Sequence, residues 1–143
     1  MRFVVGGVVV LAACIGHGAM IERPNAAVAG TKFKVIATIA AGGNRSELRM
    51  SVTVRKQLTD AGWQGVARAG RWETQGEATT DICQPGDVDG VLYVAYNRLE
   101  LMDCATHASA YEIEDNKGLG VDEMVRRLMR YLRGGDAPSA GTP

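Results

Sequence analysis

Asn44-Arg45-Ser46-Glu47-Leu48-Arg49-Met50-Ser51-Val52-Thr53-Val54-Arg55-Lys56-Gln57-Leu58-Thr59-Asp60-Ala61-Gly62 is the stretch on which the fold turns, because it carries two incompatible patterns. Leu48, Met50, Val52 and Val54 alternate with Arg49, Ser51, Thr53 and Arg55, the period of a half-buried strand, and Val-Thr-Val is a β-branched run that helices tolerate poorly. Against this, Asn44 and Glu47 stand at the spacing of a capping box. Met50, Val54, Leu58 and Ala61 share one helical face, and Gly62 sits where a left-handed stop belongs. Length and caps favour a helix from Asn44 to Ala61. A strand there would turn the first half of the domain into a hairpin.

The flanking segments follow from that choice. Phe33 to Ala41 (FKVIATIAA) is apolar and partly β-branched, ends at Gly42-Gly43, and reads as a strand buried on both faces along part of its length. Trp63 to Ala69 reads as a short second strand. Arg71 to Gln84 is polar and rich in turn formers, and Pro85 to Gly90 is a strong turn. Gly90 to Leu101 reads as one strand, with Val91, Tyr93, Ala95, Leu99 and Leu101 on its main face. Met102 to Thr106 then turns the chain into a returning strand, His107 to Glu114, its antiparallel partner. The closing helix has Asp122 and Glu123 in its first turn and Arg130 and Arg133 in its last, which suits the dipole. Val121, Met124, Val125, Leu128, Met129, Tyr131 and Leu132 form its apolar stripe, and Gly134-Gly135 ends it. The expected fold is α+β: a single mixed or antiparallel sheet with two helices packed on one face.

The amino terminus sets the compartment. Met1-Arg2 is followed by an uncharged apolar run from Phe3 to Ile15, well short of the about 20 residues that span a bilayer, and so reads as a secretory signal. Leu11-Ala12-Ala13-Cys14 closes that run and has the form of a lipobox, which makes Cys14 the lipidation site. Ala27-Val28-Ala29 offers an ordinary cleavage site but lies too far from the run. The expected organisation is a signal peptide over 1–13, a flexible tether over 14–30, a globular domain over 31–134 and a disordered tail over 135–143. The tether rests on the scarcity of core-forming residues after Cys14.

With Cys14 assigned to lipid, Cys83 and Cys104 remain as an even pair, which favours a disulfide in an oxidising compartment; two buried free thiols are the alternative. A bridge closing a loop of about 20 residues is worth about 3 kcal/mol in the chain-entropy view.

Formal charge is zero, but it is segregated: a net +6 from Thr31 to Trp72 and a net −9 from Glu73 to Asp115. The two blocks either attract each other across one fold or present an acidic face to a basic partner, with Glu73, Glu77, Asp81, Asp87 and Asp89 the expected partner-binding residues. Export and neutrality disfavour nucleic acid.

No catalytic residues are expected. His17 lies in the expected tether. His107 stands near Cys104 and Asp103, but a zinc site needs at least three protein ligands and a Cys-His nucleophile needs an unbridged Cys104. Asp87-Val88-Asp89-Gly90 matches only the middle of a calcium loop: Pro85 and Tyr96 occupy its outer ligand positions. Glu112 and Glu114 share a strand face at the spacing of a solvated edge. No metal, cofactor or small-molecule substrate is therefore expected.

Val35-Ile36-Ala37, Leu58 to Trp63 (LTDAGW), Asp103 to Thr106 (DCAT) with Tyr111, and Val121 to Leu132, together with the lipobox, give the chain a layout that resembles the small envelope lipoproteins of Gram-negative bacteria. That resemblance implies a non-catalytic protein that plugs, pilots, tethers or activates a larger envelope machine. The lack of an Asp after Cys14 implies the outer membrane, facing the periplasm, rather than retention in the inner membrane; a soluble secreted or periplasmic form is the alternative. The expected partners are an envelope protein and, through the N-terminal lipid, the membrane. An immunity or inhibitor protein against a toxin or hydrolase and a carrier of a hydrophobic ligand are the alternatives.

Overall fold

The structure is a computed structural model and describes residues 19–135. Cys14, the expected signal segment and the tail after Gly135 lie outside the described residues.

The Asn44–Gly62 stretch is a helix, α1 (Arg45–Asp60), and its start shows why. The Asn44 side chain accepts from the Glu47 N–H at 2.9 Å. The Glu47 carboxylate reaches beyond the cap, accepting from the N–H of Gly42 at 2.6 Å and of Tyr96 at 3.2 Å. One carboxylate thus ties the helix start to two strand ends. At the other end Gly62 takes φ +114°, which a side chain would resist. Val54 and Leu58 are fully buried, whereas Leu48 and Val52 are half exposed. The alternating pattern therefore splits across the helix instead of lining one face of a strand.

Six strands form one mixed sheet: β1 (Met20–Pro24), β2 (Val35–Ala40), β3 (Gln64–Ala67), β4 (Gly90–Ala95), β5 (Arg98–Asp103) and β6 (Ser109–Asp115), in the order β1-β6-β5-β4-β2-β3. β2 runs parallel to β3 and β4; the remaining pairs are antiparallel. On one face α1 and the closing helix α3 (Val121–Leu132) bury Ile36, Leu92, Val94, Leu99, Leu101, Tyr111 and Ile113. This is the expected α+β fold with two helices on one face.

Three expectations are corrected. Arg71–Gln84 is not all turn: it contains a third helix, α2 (Gln75–Cys83), packed on the opposite face over Ala37, Val91 and Tyr93. The segment Gly90–Leu101 is a hairpin, β4 and β5, turning at Tyr96-Asn97. Strand β4 is covered on both faces, so its sequence lacks the alternation that would have betrayed the turn. Lastly, the tether does not run to Gly30. Met20–Pro24 pairs with β6, and Val28 belongs to the core, its carbonyl accepting from the Tyr131 hydroxyl at 2.8 Å. The strand is held by an ion cluster rather than apolar alternation. The side chain of Glu22, 4% exposed, accepts from Tyr111 Oη at 2.6 Å and faces Arg127 and Arg130 at 3.3 and 3.2 Å.

Candidate functional site

The chain order β2-α1-β3-α2-β4 places β3 and β4 on opposite sides of β2, with the two connecting helices on opposite faces. At such a switch point the connections diverge and leave a crevice outside the carboxyl ends of the strands. Here the crevice is an open cleft of about 890 Å³ between the end of β2, helix α1 and the segment from Ala67 to Gln75.

Its walls are apolar with a basic rim. Leu48 and Val52 are 51% and 52% exposed and, with Arg55, form one i, i+4, i+7 line of α1 facing the cleft. Trp72 forms the far wall. Its indole packs onto Gly70, where any Cβ would lie 2.3 Å from the ring, and its Nε1 donates to Asp81 at 2.9 Å. At the floor the Tyr93 hydroxyl donates to the Gln75 carbonyl at 2.9 Å and lies 2.7 Å from Thr79 Oγ1, pinning the first turn of α2 to β4. Burial pushes that hydroxyl up from its ordinary pKa, against the Thr79 contact and with the help of Glu100, so it stays protonated. Arg55 lies 3.4 Å from Thr38 Oγ1, and neither Arg55 nor Arg71 pairs with a carboxylate among the described residues.

Beside the cleft, β3 is an edge. Its register on β2, with the Gln64 N–H donating to Lys34 O at 2.9 Å, turns the peptide groups of Gln64 and Val66 toward β2. Those of Gly65 and Ala67 face outward, where the Ala67 carbonyl accepts from Arg68 Nη1 at 3.1 Å.

The five acids expected to bind a partner are spread from just before α2 to the loop after it, and four have internal work. Glu77 accepts from the Glu73 N–H while Thr74 caps the Glu77 N–H. Asp81 takes the Trp72 indole, and Asp87 pairs with Arg68 at 2.7 Å. Asp89 accepts from the N–H groups of Lys34 and Val35. Glu73 alone keeps an unengaged carboxylate among the described residues, at the mouth of the cleft. The two charge blocks meet inside the fold as well, through Lys32–Asp103 at 2.6 Å.

Cys83 and Cys104 form a disulfide, with Cα atoms 5.2 Å apart, joining the end of α2 to the turn after β5. Bridged, Cys104 offers His107 no nucleophile. No group of three or more metal-ligating side chains gathers among the described residues. Sequence reasoning missed Leu48, Val52, Arg55 and Trp72 as cleft residues. The available signal was that Leu48 and Val52 fall off the buried stripe of α1.

The class these features define is an α+β domain with one mixed sheet and an open cleft at its parallel end. No family model matches the chain, and neither does any curated protein. Among solved structures the chain is similar to a single-substitution variant of the PelC dodecamer from Paraburkholderia phytofirmans. That likeness has a TM-score of 0.52 and 14% identity, covering 82% of this chain and 99% of that one. A second PelC dodecamer from the same organism aligns at 15% identity with a TM-score of 0.47, covering 83% and 98%. At this identity the first likeness shows the fold alone.

Proposed function

We propose that the chain is a non-catalytic lipoprotein of the outer membrane that faces the periplasm and binds a protein partner through the cleft. The observation that carries this reading is the line of half-exposed Leu48 and Val52 beside the unpaired edge of β3. Apolar side chains without cover next to the outward N–H and C=O of Gly65 and the outward N–H of Ala67 suit an extended polypeptide, which adds as a strand, displaces the Arg68 guanidinium from the Ala67 carbonyl and seats side chains in the cleft. Unpaired Arg55 and Arg71 favour acidic residues on that segment. This moves the expected contact from the acids of α2 to the groove beside them. The lipobox at the end of the apolar run and a disulfide, a bond that persists in oxidising compartments, support export and anchoring.

A photo-crosslinking residue at Val52, introduced in cells, tests the reading. A discrete adduct is expected there, lost on Arg55→Glu with Arg71→Glu, and absent when the probe sits at Ala105 on the far turn. No adduct at Val52, or the same adducts from both positions, contradicts it.

A second reading has the partner as another copy of this chain. The solved PelC variant to which the chain is similar is a dodecamer. Here β1 and β3 leave edges on opposite sides of the sheet that are unpaired among the described residues, an arrangement suited to head-to-tail contact. Sedimentation of the purified chain separates the two readings.

A further inference from the structure

One rim of the domain gathers where the chain enters it. The Asn116 N–H donates to Ala19 O at 3.2 Å, and the Asp115 N–H donates to Asn97 O at 2.8 Å. The Tyr96 N–H donates to Glu47 at 3.2 Å. These bonds string the first described residues, the loop after β6, the β4–β5 turn and the start of α1 into one continuous edge. The two large apolar side chains projecting from that edge are Tyr96, 76% exposed, and Leu119, 51% exposed.

Two carboxylates of the rim are turned inward, while the exposed Asp122, three residues beyond Leu119, accepts from Gln57 Nε2 at 2.7 Å. Asp115 accepts from the N–H groups of Lys117, Gly118, Leu119 and Gly120, and Glu47 from those of Gly42 and Tyr96. Its cations, Arg45 and Lys117, are exposed and unpaired among the described residues. An aromatic and an aliphatic side chain flanked by free cations suit the surface of an anionic bilayer, where tyrosine sits at headgroup depth and basic residues meet lipid phosphates.

The chain itself limits where that bilayer lies. Cys14 is six residues before Met20, so even fully extended chain places the two within about 20 Å. A lipid on Cys14 would therefore keep this rim, where the described chain begins, within about 20 Å of the membrane.

We propose that the rim formed by Tyr96, Leu119, Arg45 and Lys117 is a membrane-contact surface that fixes the domain's orientation on the bilayer. The proposal rests on the lipidation reading for its place in the cell. Its test supplies the anchor chemically, so that the two fail separately.

The chain from Cys14 onward contains every strand and helix of the described domain. With the Cys83–Cys104 bridge intact, Cys14 is its one free thiol and can be coupled to a maleimide-headgroup lipid. Coupled chain on vesicles of phosphatidylethanolamine with a minor share of phosphatidylglycerol is compared with uncoupled chain in solution by hydroxyl-radical footprinting, which reads side-chain exposure. Oxidation of Tyr96 and Leu119 is expected to fall several-fold, with His107 and Pro85 unchanged. Undiminished oxidation of Tyr96 and Leu119, or equal shielding of His107, overturns the proposal. So does shielding that appears only as the surface density of the chain rises, which marks contact between copies. Rim shielding in this assay, with no acyl group on Cys14 from cells, retires the lipid and leaves the membrane surface standing.

Discussion

Asp115 organises the passage from sheet to helix with a single side chain. Burial pushes its carboxyl up. The N–H groups of Gly120, Leu119, Lys117 and Gly118 outweigh that and hold it below the ordinary 3.8. Asp103 behaves alike: burial raises it, and Lys32, the Ala105 N–H and the Thr106 hydroxyl together bring it lower. A carboxylate depressed in the folded state contributes stability above its unfolded value and loses it as pH falls through the folded one. Stability is therefore expected to decline below about pH 4, and urea titrations of Asp115→Asn should show a shallower decline. At neutral pH that variant should be less stable by about 2 kcal/mol. A variant as acid-sensitive as the parent would place the effect elsewhere. Roles of this kind are not legible in sequence. Asp81, Asp87 and Asp89 read as a free acidic surface because the indole, the guanidinium and the strand N–H groups that engage them are distant in the chain or carry no signature.

At the scale of elements, the legible parts were those whose own residues state their period and ends. The caps of α1, the stripe of α3 and the β5–β6 pair are of this kind. Helix α1 supplies a discriminating pair. In a strand Val52 and Val54 would share a face; in the helix Val52 is half exposed and Val54 fully buried. Thermal unfolding should find Val52→Glu within about 0.5 kcal/mol of the parent. Val54→Glu, which buries an unpaired charge, should cost more than about 3 kcal/mol. Equal losses would restore the strand. Helix α2 was missed because Gly76, Thr79 and Thr80 dilute a nine-residue segment, although Thr74 and Glu77 carried its capping signal. The disulfide that fastens this helix was legible from parity. Replacing both cysteines by alanine is expected to remove about 3 kcal/mol, read as the loss in denaturant midpoint. An unchanged midpoint would show the staple to be idle.

For the whole molecule, two ion pairs join the segregated charge blocks, Lys32–Asp103 and Arg68–Asp87, and Arg98 pairs with Glu100 and Glu112 within the acidic one, while Lys34, Arg45, Arg49, Arg55 and Arg71 stay unpaired among the described residues. What the sequence could not reveal was β1, since Glu22 is buried by partners nearly ninety residues away or more. Glu22→Gln should cost about 2 kcal/mol, less than for a fully enclosed pair because Arg127 and Arg130 reach solvent. Equilibrium unfolding checks this, and no loss would mean the strand is held by its ladder alone. Docking of β1 also shortens the leash: the domain begins within a few residues of Cys14, so an acyl chain there sets the position of the entire fold. Cells fed a clickable fatty acid, expressing the parent and Cys14→Ser, give the most direct test of that attachment. Label and membrane fractionation are expected for the parent, with both lost in Cys14→Ser. A parent without label, or a Cys14→Ser protein that stays in the membrane fraction, would contradict it.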